Sequence, residues 1–480
     1  MTRGPIRALG IRTQQRPWVR VPGDHALVAA VAYIAAGAAL TAVSFADALY
    51  PNEVSNHRPS FFGPTSTDHL SSGVIWVILT ALMWLTWVWM CRRSRTEPAP
   101  ALRWMLLFSA LALLPFGWRA MSNDPMEYWL LSYSQAHLHL NPLHSVLADT
   151  HWRWALLQTA WATHPDPYGP LFWALEWAMG HIPGVFFFWF WKLAVVACYL
   201  GTIPLLEREL RAAGKDPVWI LVIWGNPLVL LELAAAAHND ALLILPAMAA
   251  VGLWSRRHAR PGVGGLLMGL SIAIKPMFAV SLPAILLWLG LHRGGRRLMW
   301  EVLGGAAGIL VWFAFYGSPV LYVARNLESQ AFITGYGMPM LLYHYDHGTV
   351  IRVAGGLLWA GATVWAARRS QALVAATVPL AVALLGAISW VEPWYFASII
   401  PGLALYGSLR TRWVLWLTSA VFEFTYGITM HWHFLSFAVS VLLAATVGVG
   451  LLLGSVWPRV EHWRHRALSA APPPAALRRE

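Results

Sequence analysis

Residues 119–170 read RAMSNDPMEYWLLSYSQAHLHLNPLHSVLADTHWRWALLQTAWATHPDPYGP, a long polar and aromatic stretch with apolar runs on both sides. It holds four carboxylates, Asp124, Glu127, Asp149 and Asp166, and five histidines, His137, His139, His144, His151 and His164. A connection of this length is either functional or disordered. Its Trp, Tyr and Leu content argues against disorder and suits short helices lying at a membrane interface.

Outward from this stretch, 58% of the 480 residues are hydrophobic and the mean hydropathy is +0.53. Only 12% are charged, against about 25% in a soluble domain. A soluble fold has no way to bury so much apolar surface, so the sequence predicts an all-α polytopic membrane protein. The net charge of +12 does not point to nucleic acid, because the basic residues sit in short clusters between apolar runs, the pattern of the positive-inside rule. Cys91 and Cys198 lie within or at the end of such runs, which excludes a disulfide framework. The first apolar run, at about 26–46, is long and lacks a clear small-residue cleavage site, and is expected to be a retained anchor.

The basic clusters Arg92–Arg95, Arg208–Lys215, Arg256–Arg260, Arg293–Arg297, Arg368–Arg369, Arg410–Arg412 and Arg459–Arg466 divide the chain. Placing all of them on the cytoplasmic side predicts a bundle of about 13–14 transmembrane helices, several too short for straight crossing. The organisation read from this is a basic cytoplasmic N-terminus (1–25), two transmembrane helices (26–100), a main transmembrane module (101–408) carrying the outer loop 119–170, C-terminal transmembrane helices (409–458) and a cytoplasmic tail (459–480). Spans are expected at 217–236, 241–254, 263–274 and 277–291. The segment 169–182 breaks the parity and is either re-entrant or a crossing.

Several polar groups stand out. Asp124 follows an apolar run directly, where a carboxylate accepts a proton from a hydroxyl at the interface; with Pro125 behind it, it equally reads as a helix cap. Glu127 is one turn further on. His137, His139 and His144 are imidazoles of the kind that bind metals, but they lack the spacing of a structural zinc site. His238, Asn239 and Asp240 interrupt an apolar run of almost forty residues, and ionisable groups at such depth are functional by default. Glu232 lies in the same run, with Lys192 as its expected opposite charge. Lys275–Pro276 falls midway between two basic clusters, so the chain goes up and returns there, with the lysine at the turn. That lysine is suited to a lipid phosphate, or snorkels to the interface. Trp394 and Tyr395 beside Glu392, with His344 and His347 nearby, suit sugar stacking and equally suit an aromatic belt.

The order of these motifs is informative: Asp124 with Tyr128, Asn141–Pro142, Tyr168–Gly169–Pro170–Leu171, Asn226–Pro227–Leu228 leading to His238–Asn239–Asp240, Lys275–Pro276, and Pro393–Trp394–Tyr395. The chain resembles the GT-C superfamily of membrane glycosyltransferases, most closely the bacterial polyprenyl-phosphate-mannose-dependent α-1,6-mannosyltransferases. The resemblance covers about 101–408 and does not extend to 26–91. The loop departs from the family pattern, reading Asp124-Pro125-Met126-Glu127.

The resemblance implies a multi-pass enzyme of the cytoplasmic membrane with an outward-facing site. A polyprenyl-phosphate donor would give its sugar, mannose, to a glycan or glycolipid acceptor with inversion. Asp124, seconded by Glu127, would be the base; Lys275 with Arg153 would hold the donor phosphate. Tyr128, Tyr168, His238, Asn239, Asp240, Glu392, Trp394, Tyr395, His344 and His347 would line the substrate site. No cofactor is required by this scheme, a divalent metal being the one candidate. A polytopic transporter or flippase is the alternative; it would account for buried charges and broken helices, but not for an outer insert dense in carboxylates and histidines.

Overall fold

The computed structural model describes residues 24–49, 69–93, 99–113, 124–146, 166–212, 214, 219–256, 259–324, 348–386, 393–401 and 419. Within these the chain is helical and holds no strand. The helices are α1 (Asp24–Leu49), α2 (His69–Arg93), α3 (Ala99–Leu113), α4 (Asp124–His137), α5 (Pro170–Gly180), α6 (Gly184–Ala212), α7 (Trp219–Trp224), α8 (Pro227–Ala235), α9 (Asp240–Trp254), α10 (Val263–Ile274), α11 (Leu282–Arg293), α12 (Gly295–Tyr316), α13 (Gly348–Ala367) and α14 (Ala372–Gly386). Short 3₁₀ turns cover Pro276–Ser281 and Pro393–Ser398. This is the all-α polytopic class, the one open-ended backbone arrangement whose polar groups are satisfied without water.

Among the described residues, Phe186–Ala212, Pro276–Arg293 and Gly295–Tyr316 are long and apolar enough to cross a bilayer, and α8 with α9 form an apolar pair bent by 115°. The outward faces of α6 and α12 carry exposed Phe186, Phe190, Leu193, Leu303, Leu310 and Phe315, as lipid contact requires. The α8–α9 bend falls between the spans expected at 217–236 and 241–254. Helix α10 has 12 residues, or roughly 18 Å at 1.5 Å per residue. It stops at Lys275, which is extended with φ −154° and ψ 129°, because a following proline disfavours the helical region. Helix α5, in the stretch that broke the parity, has 11 residues, too few for a core of about 30 Å. It runs alongside α4 in the same direction, with Gly180 packed onto the backbone of Ser132.

The breaks are satisfied by aromatic donors. Pro227 has no N–H, so the carbonyls before it lose helical partners. Tyr33 Oη donates to Gly225 O at 2.8 Å, Trp87 Nε1 to Leu221 O at 3.0 Å and Tyr199 Oη to Trp224 O at 2.6 Å. Helices α1 and α2 therefore belong to the bundle through specific contacts at the α7–α8 break.

Helices α10 and α12 cross closely through facing glycines. A Cβ on Gly265 would overlap the Glu301 carbonyl oxygen, and one on Gly269 the Gly305 carbonyl oxygen. Glu301, buried on α12, accepts a hydrogen bond from Gly265 N and from Arg297, so it closes an unpaired donor in the first turn of α10.

The same crossing gathers basic residues at one end of the molecule. Arg208 donates to Gly252 O, Arg293 to Trp254 O, and Arg297 to Ala259 O and Arg260 O. Trp288 Nε1 donates to Arg369 O, and Arg103 pairs with Glu207. Four of the predicted basic clusters thus share one end. Lys275 and Asp240 lie at the opposite ends of α10 and α9, and α9, with 15 residues, is about 22 Å long. The chain does go up and return at Lys275. The clusters at 410–412 and 459–466 lie outside the described residues.

Gly265→Ala is expected to part α10 from α12 and lower the apparent Tm of the detergent-solubilised protein, an overpacking cost of about 1–3 kcal/mol. Gly361→Ala, where the added Cβ meets nothing within 4 Å, is expected to leave Tm unchanged or slightly higher; a thermal-shift assay compares the two.

Candidate active site

The site begins with a defect in a helix. After Pro227–Val229 the chain winds into wider π turns over Leu230–Ala235. Ala236 N bonds Leu231 O at 2.7 Å and His238 N bonds Glu232 O at 3.1 Å. Ala237 then takes a left-handed φ of 58°, which costs a non-glycine residue about 1–2 kcal/mol. Its carbonyl is held by Trp191 Nε1 at 3.0 Å. π turns and strained residues of this kind concentrate at functional sites. Here they bring the side chains of Glu232 and His238, six positions apart, into contact.

His238 stands between two carboxylates. Its Nδ1 is 3.1 Å from Asp124 Oδ2 and its Nε2 is 3.1 Å from Glu232 Oε2. The ring stacks on Trp394, with centroids 3.7 Å apart and planes 16° apart. Asp124 opens α4, and Tyr128, one turn on, donates from Oη to Asp124 Oδ2 at 3.3 Å. Tyr168 Oη in turn reaches Tyr128 Oη at 3.4 Å. Beside this chain lies a second pair, Lys275 Nζ to Asp240 Oδ2 at 2.8 Å. The ammonium also faces the rings of Tyr395 and Tyr168, 4.4 Å and 5.7 Å from their centroids. Asn239, between His238 and Asp240, is fully buried, and among the described residues neither its amide nitrogen nor its oxygen has a partner.

Electrostatics keep Asp124 ionised. Burial pushes its carboxyl up, but the His238 charge and hydrogen bond, with Lys275 and Tyr128, outweigh burial and hold it below the ordinary 3.8. A carboxylate held in this way is ready to take a proton from a hydroxyl once that oxygen starts to bond elsewhere.

A second layer fixes the turn that carries Tyr168. Gly169 N donates to Ile274 O at 2.8 Å, and a Cβ on Gly169 would overlap the Ala273 carbonyl oxygen. Only glycine lets this turn press against the end of α10, immediately before Lys275. Asp166 Oδ1 accepts from Tyr168 N at 2.8 Å. Burial raises the Asp166 carboxyl to about 6, opposed by the bond from Tyr168 N and by a contact with Glu176. Glu176 is itself buried and accepts from Gln135 Nε2 at 2.8 Å.

The structure therefore gathers Asp124, Tyr128, Tyr168, His238, Asp240, Lys275, Trp394 and Tyr395 into one cluster, with Asn239 buried inside it. Glu127 is buried on α4 and acts electrostatically on Tyr128, Tyr168 and Glu176. Arg153, His344, His347 and Glu392 lie outside the described residues. Two features differ from the sequence reading. Lys275 is paired with Asp240, its neighbour across the α9–α10 ends. Glu232 meets His238 rather than Lys192, because the π turns rotate its side chain toward the histidine. The Asp166–Glu176 contact had no sequence signal beyond two acids in an apolar context. His137 Nε2 is 3.0 Å from Gly180 O and joins α4 to α5, while His139 and His144 are exposed. Among the described residues, no three His, Cys, Asp or Glu side chains are grouped to hold a metal ion.

An ionised carboxylate tied to an imidazole, beside a lysine, lies at one end of a bundle of apolar helices, the arrangement of a membrane protein with acid–base groups buried at one end. The family described as "Alpha-(1->6)-mannopyranosyltransferase, N-terminal domain" matches residues 28–290, more than half of the chain. The chain belongs to this family of GT-C type membrane glycosyltransferases. The match starts within α1, so α1 and α2 are part of the family's domain, contrary to the expectation that the resemblance began near residue 101.

Among characterised relatives, α-(1→6)-mannopyranosyltransferase A of Mycobacterium tuberculosis is 26% identical over 167 residues, 32% of this chain and 31% of the relative. An α-(1→3)-arabinofuranosyltransferase of Corynebacterium glutamicum is 28% identical over 200 residues, 39% of this chain and 43% of the relative. A dolichyl pyrophosphate Glc1Man9GlcNAc2 α-1,3-glucosyltransferase of Arabidopsis thaliana is 27% identical over 162 residues, 31% of each chain. The chain thus spans between about a third and under half of the length of the relatives it matches. No solved structure matches it.

Asp166 supplies a pH test. Its folded carboxyl titrates near 6 against an ordinary 3.8, so its stabilising neutral form is fully present below 3.8 and is lost as pH rises through about 6. Asp166→Asn is expected to flatten the fall in Tm over that window, read by thermal shift at a series of pH values.

Proposed function

We propose that this protein is a membrane glycosyltransferase that moves mannose from a polyprenyl-phosphate donor to a hydroxyl of a glycan or glycolipid, on the outer face of the cytoplasmic membrane. The observation that carries the reading is the cluster of Asp124, His238, Asp240 and Lys275 at the end of the bundle remote from the basic residues. The names of the family and of its mycobacterial relative support the mannosyl assignment. The basic end, read as cytoplasmic by the positive-inside rule, supports the outward orientation.

In this reading Asp124 accepts the proton of the acceptor hydroxyl. The acceptor oxygen bonds to the anomeric carbon from the face opposite the donor phosphate, which inverts the configuration. The bond from that carbon to the phosphate oxygen breaks, and its electron pair leaves on the polyprenyl phosphate. Lys275 balances the growing phosphate charge. Its ammonium has three N–H donors, and Asp240 orients it by accepting one. Trp394 covers the His238 ring and Tyr395 faces the Lys275 ammonium, so these aromatics hold the two cations in place beside Asp124.

Purified protein, given labelled polyprenyl-phosphate mannose and a panel of glycan and lipid acceptors, is expected to transfer the label. Asp124→Asn is expected to fold and insert normally but to lose at least about a hundredfold in kcat, the scale of general-base loss. Lys275→Met is expected to lose roughly ten- to a hundredfold in donor kcat/KM, with partial recovery in Lys275→Arg. Normal turnover by Asp124→Asn would remove Asp124 as the base.

Orientation has its own test. Ser318 is exposed at the Asp124 end and Arg256 at the basic end. In a background with Cys91 and Cys198 replaced, Ser318→Cys is expected to react with an impermeant thiol reagent added to intact cells, and Arg256→Cys only after lysis. The reverse pattern would turn the site inward.

A further inference from the structure

Glu232 is a fully buried carboxylate in the π turn of α8. His238 Nε2 lies 3.1 Å from Glu232 Oε2, at ion-pair distance but off the line of a hydrogen bond, and among the described residues no other polar group meets either Glu232 oxygen. A buried carboxylate with no donor is strongly destabilising. As a carboxylate, Glu232 is therefore accommodated only if the ring beside it is a cation with a proton on Nε2; as a neutral acid it would itself be the donor. The other ring nitrogen faces the ionised Asp124 at 3.1 Å and needs a proton for the same reason. A ring with an ionised carboxylate at each nitrogen is satisfied on both sides only as the doubly protonated imidazolium. The remaining neighbours fit this arrangement. Asp240 adds negative charge close by, Lys275 is neutralised by Asp240, Tyr128 donates to Asp124, and Trp394 stacks flat on the ring, where a cation is favourable.

We infer that Glu232 is a positioning residue for glycosyl transfer: through Nε2 it fixes His238 as an imidazolium whose Nδ1–H orients Asp124 and keeps it ionised toward the acceptor. The inference rests on the reading of Asp124 as the group that receives the acceptor proton. It also accounts for the backbone at this place. The π turns and the left-handed Ala237 are what bring residues 232 and 238 together, and a regular helix would separate them by more than one and a half turns. A buried acid that sets the protonation of a catalytic imidazole from behind is a recurrent device on unrelated folds. Here the imidazole in turn sets an acid.

The test separates charge from geometry. Glu232→Gln keeps the shape and can still bond Nε2 by donating to it, but it removes the charge that holds the second ring proton. It is expected to lower kcat roughly ten- to a hundredfold with donor KM unchanged. The acid limb of the pH–rate profile is expected to move up by about one unit, because Asp124 loses a cationic neighbour. Glu232→Asp is expected to recover part of the rate and return the acid limb toward its original position. Independently of turnover, nitrogen-15 spectra of histidine-labelled protein in lipid nanodiscs, with the His238 signals assigned from their loss in His238→Asn, are expected to show both ring nitrogens protonated at neutral pH in the natural protein and one deprotonated in Glu232→Gln. A neutral His238 ring in the natural protein overturns the inference, even if no variant folds. So does an unchanged pH profile, or an unchanged His238 spectrum, in Glu232→Gln. If the natural protein transfers no sugar from any polyprenyl-phosphate donor, the functional proposal falls, and the spectra still decide whether Glu232 fixes the histidine charge.

Discussion

A charge buried in a membrane protein is tolerated only when another charge or a set of donors meets it, and the Asp124 end of this molecule is arranged around that rule. Asp124, His238 and Glu232 form one line of alternating sign, and Lys275 and Asp240 a second pair beside it. Each irregularity of the backbone nearby places one of these groups. The π turns of α8 and the left-handed Ala237 place His238 against Glu232. The stop at Lys275–Pro276 turns the lysine toward Asp240 at the start of α9. The strain stored at Ala237 is offset by Trp191, which holds its carbonyl, and by Trp394, which covers the histidine.

The position of the lysine depends in turn on packing far from it. The glycine faces of α10 and α12 allow a close crossing that a single methyl group would disrupt. That crossing sets how far α10 reaches, and the Tyr168–Gly169 turn seals its end through Ile274 O. One end collects the arginines, paired there with Glu207, Glu209 and Glu301, and the other holds Asp124, Glu232 and Asp240 with His238 and Lys275.

The matched family region, 28–290, contains Asp124, Tyr128, Tyr168, Glu232, His238, Asp240 and Lys275. Trp394 and Tyr395 come from beyond it. The ionic part of the site thus belongs to the portion of the chain that defines the family, while the aromatic faces over His238 and Lys275 are brought from a segment more than a hundred residues later.

The sequence by itself determined the class of the protein. Its apolar content, the spacing of basic clusters and the polar stretch at 119–170 left only a helical membrane fold, with the acids and His238–Asn239–Asp240 directed away from the arginines. Lys275–Pro276 announced its own turn, since a lysine and a proline midway between two basic clusters leave the chain no other path. What only the tertiary structure decided was which charge meets which. Glu232 reads in sequence as one acid in a regular apolar helix, on a different face from His238. It reaches the histidine because the helix widens, and helix widening follows from packing against Trp191 and the α7–α8 break rather than from local composition. Likewise nothing in the sequence distinguishes Asp240 from other acids as the partner of Lys275. Their pairing arises from the lengths of α9 and α10 and the angle at which they meet, quantities set by contacts across the whole bundle.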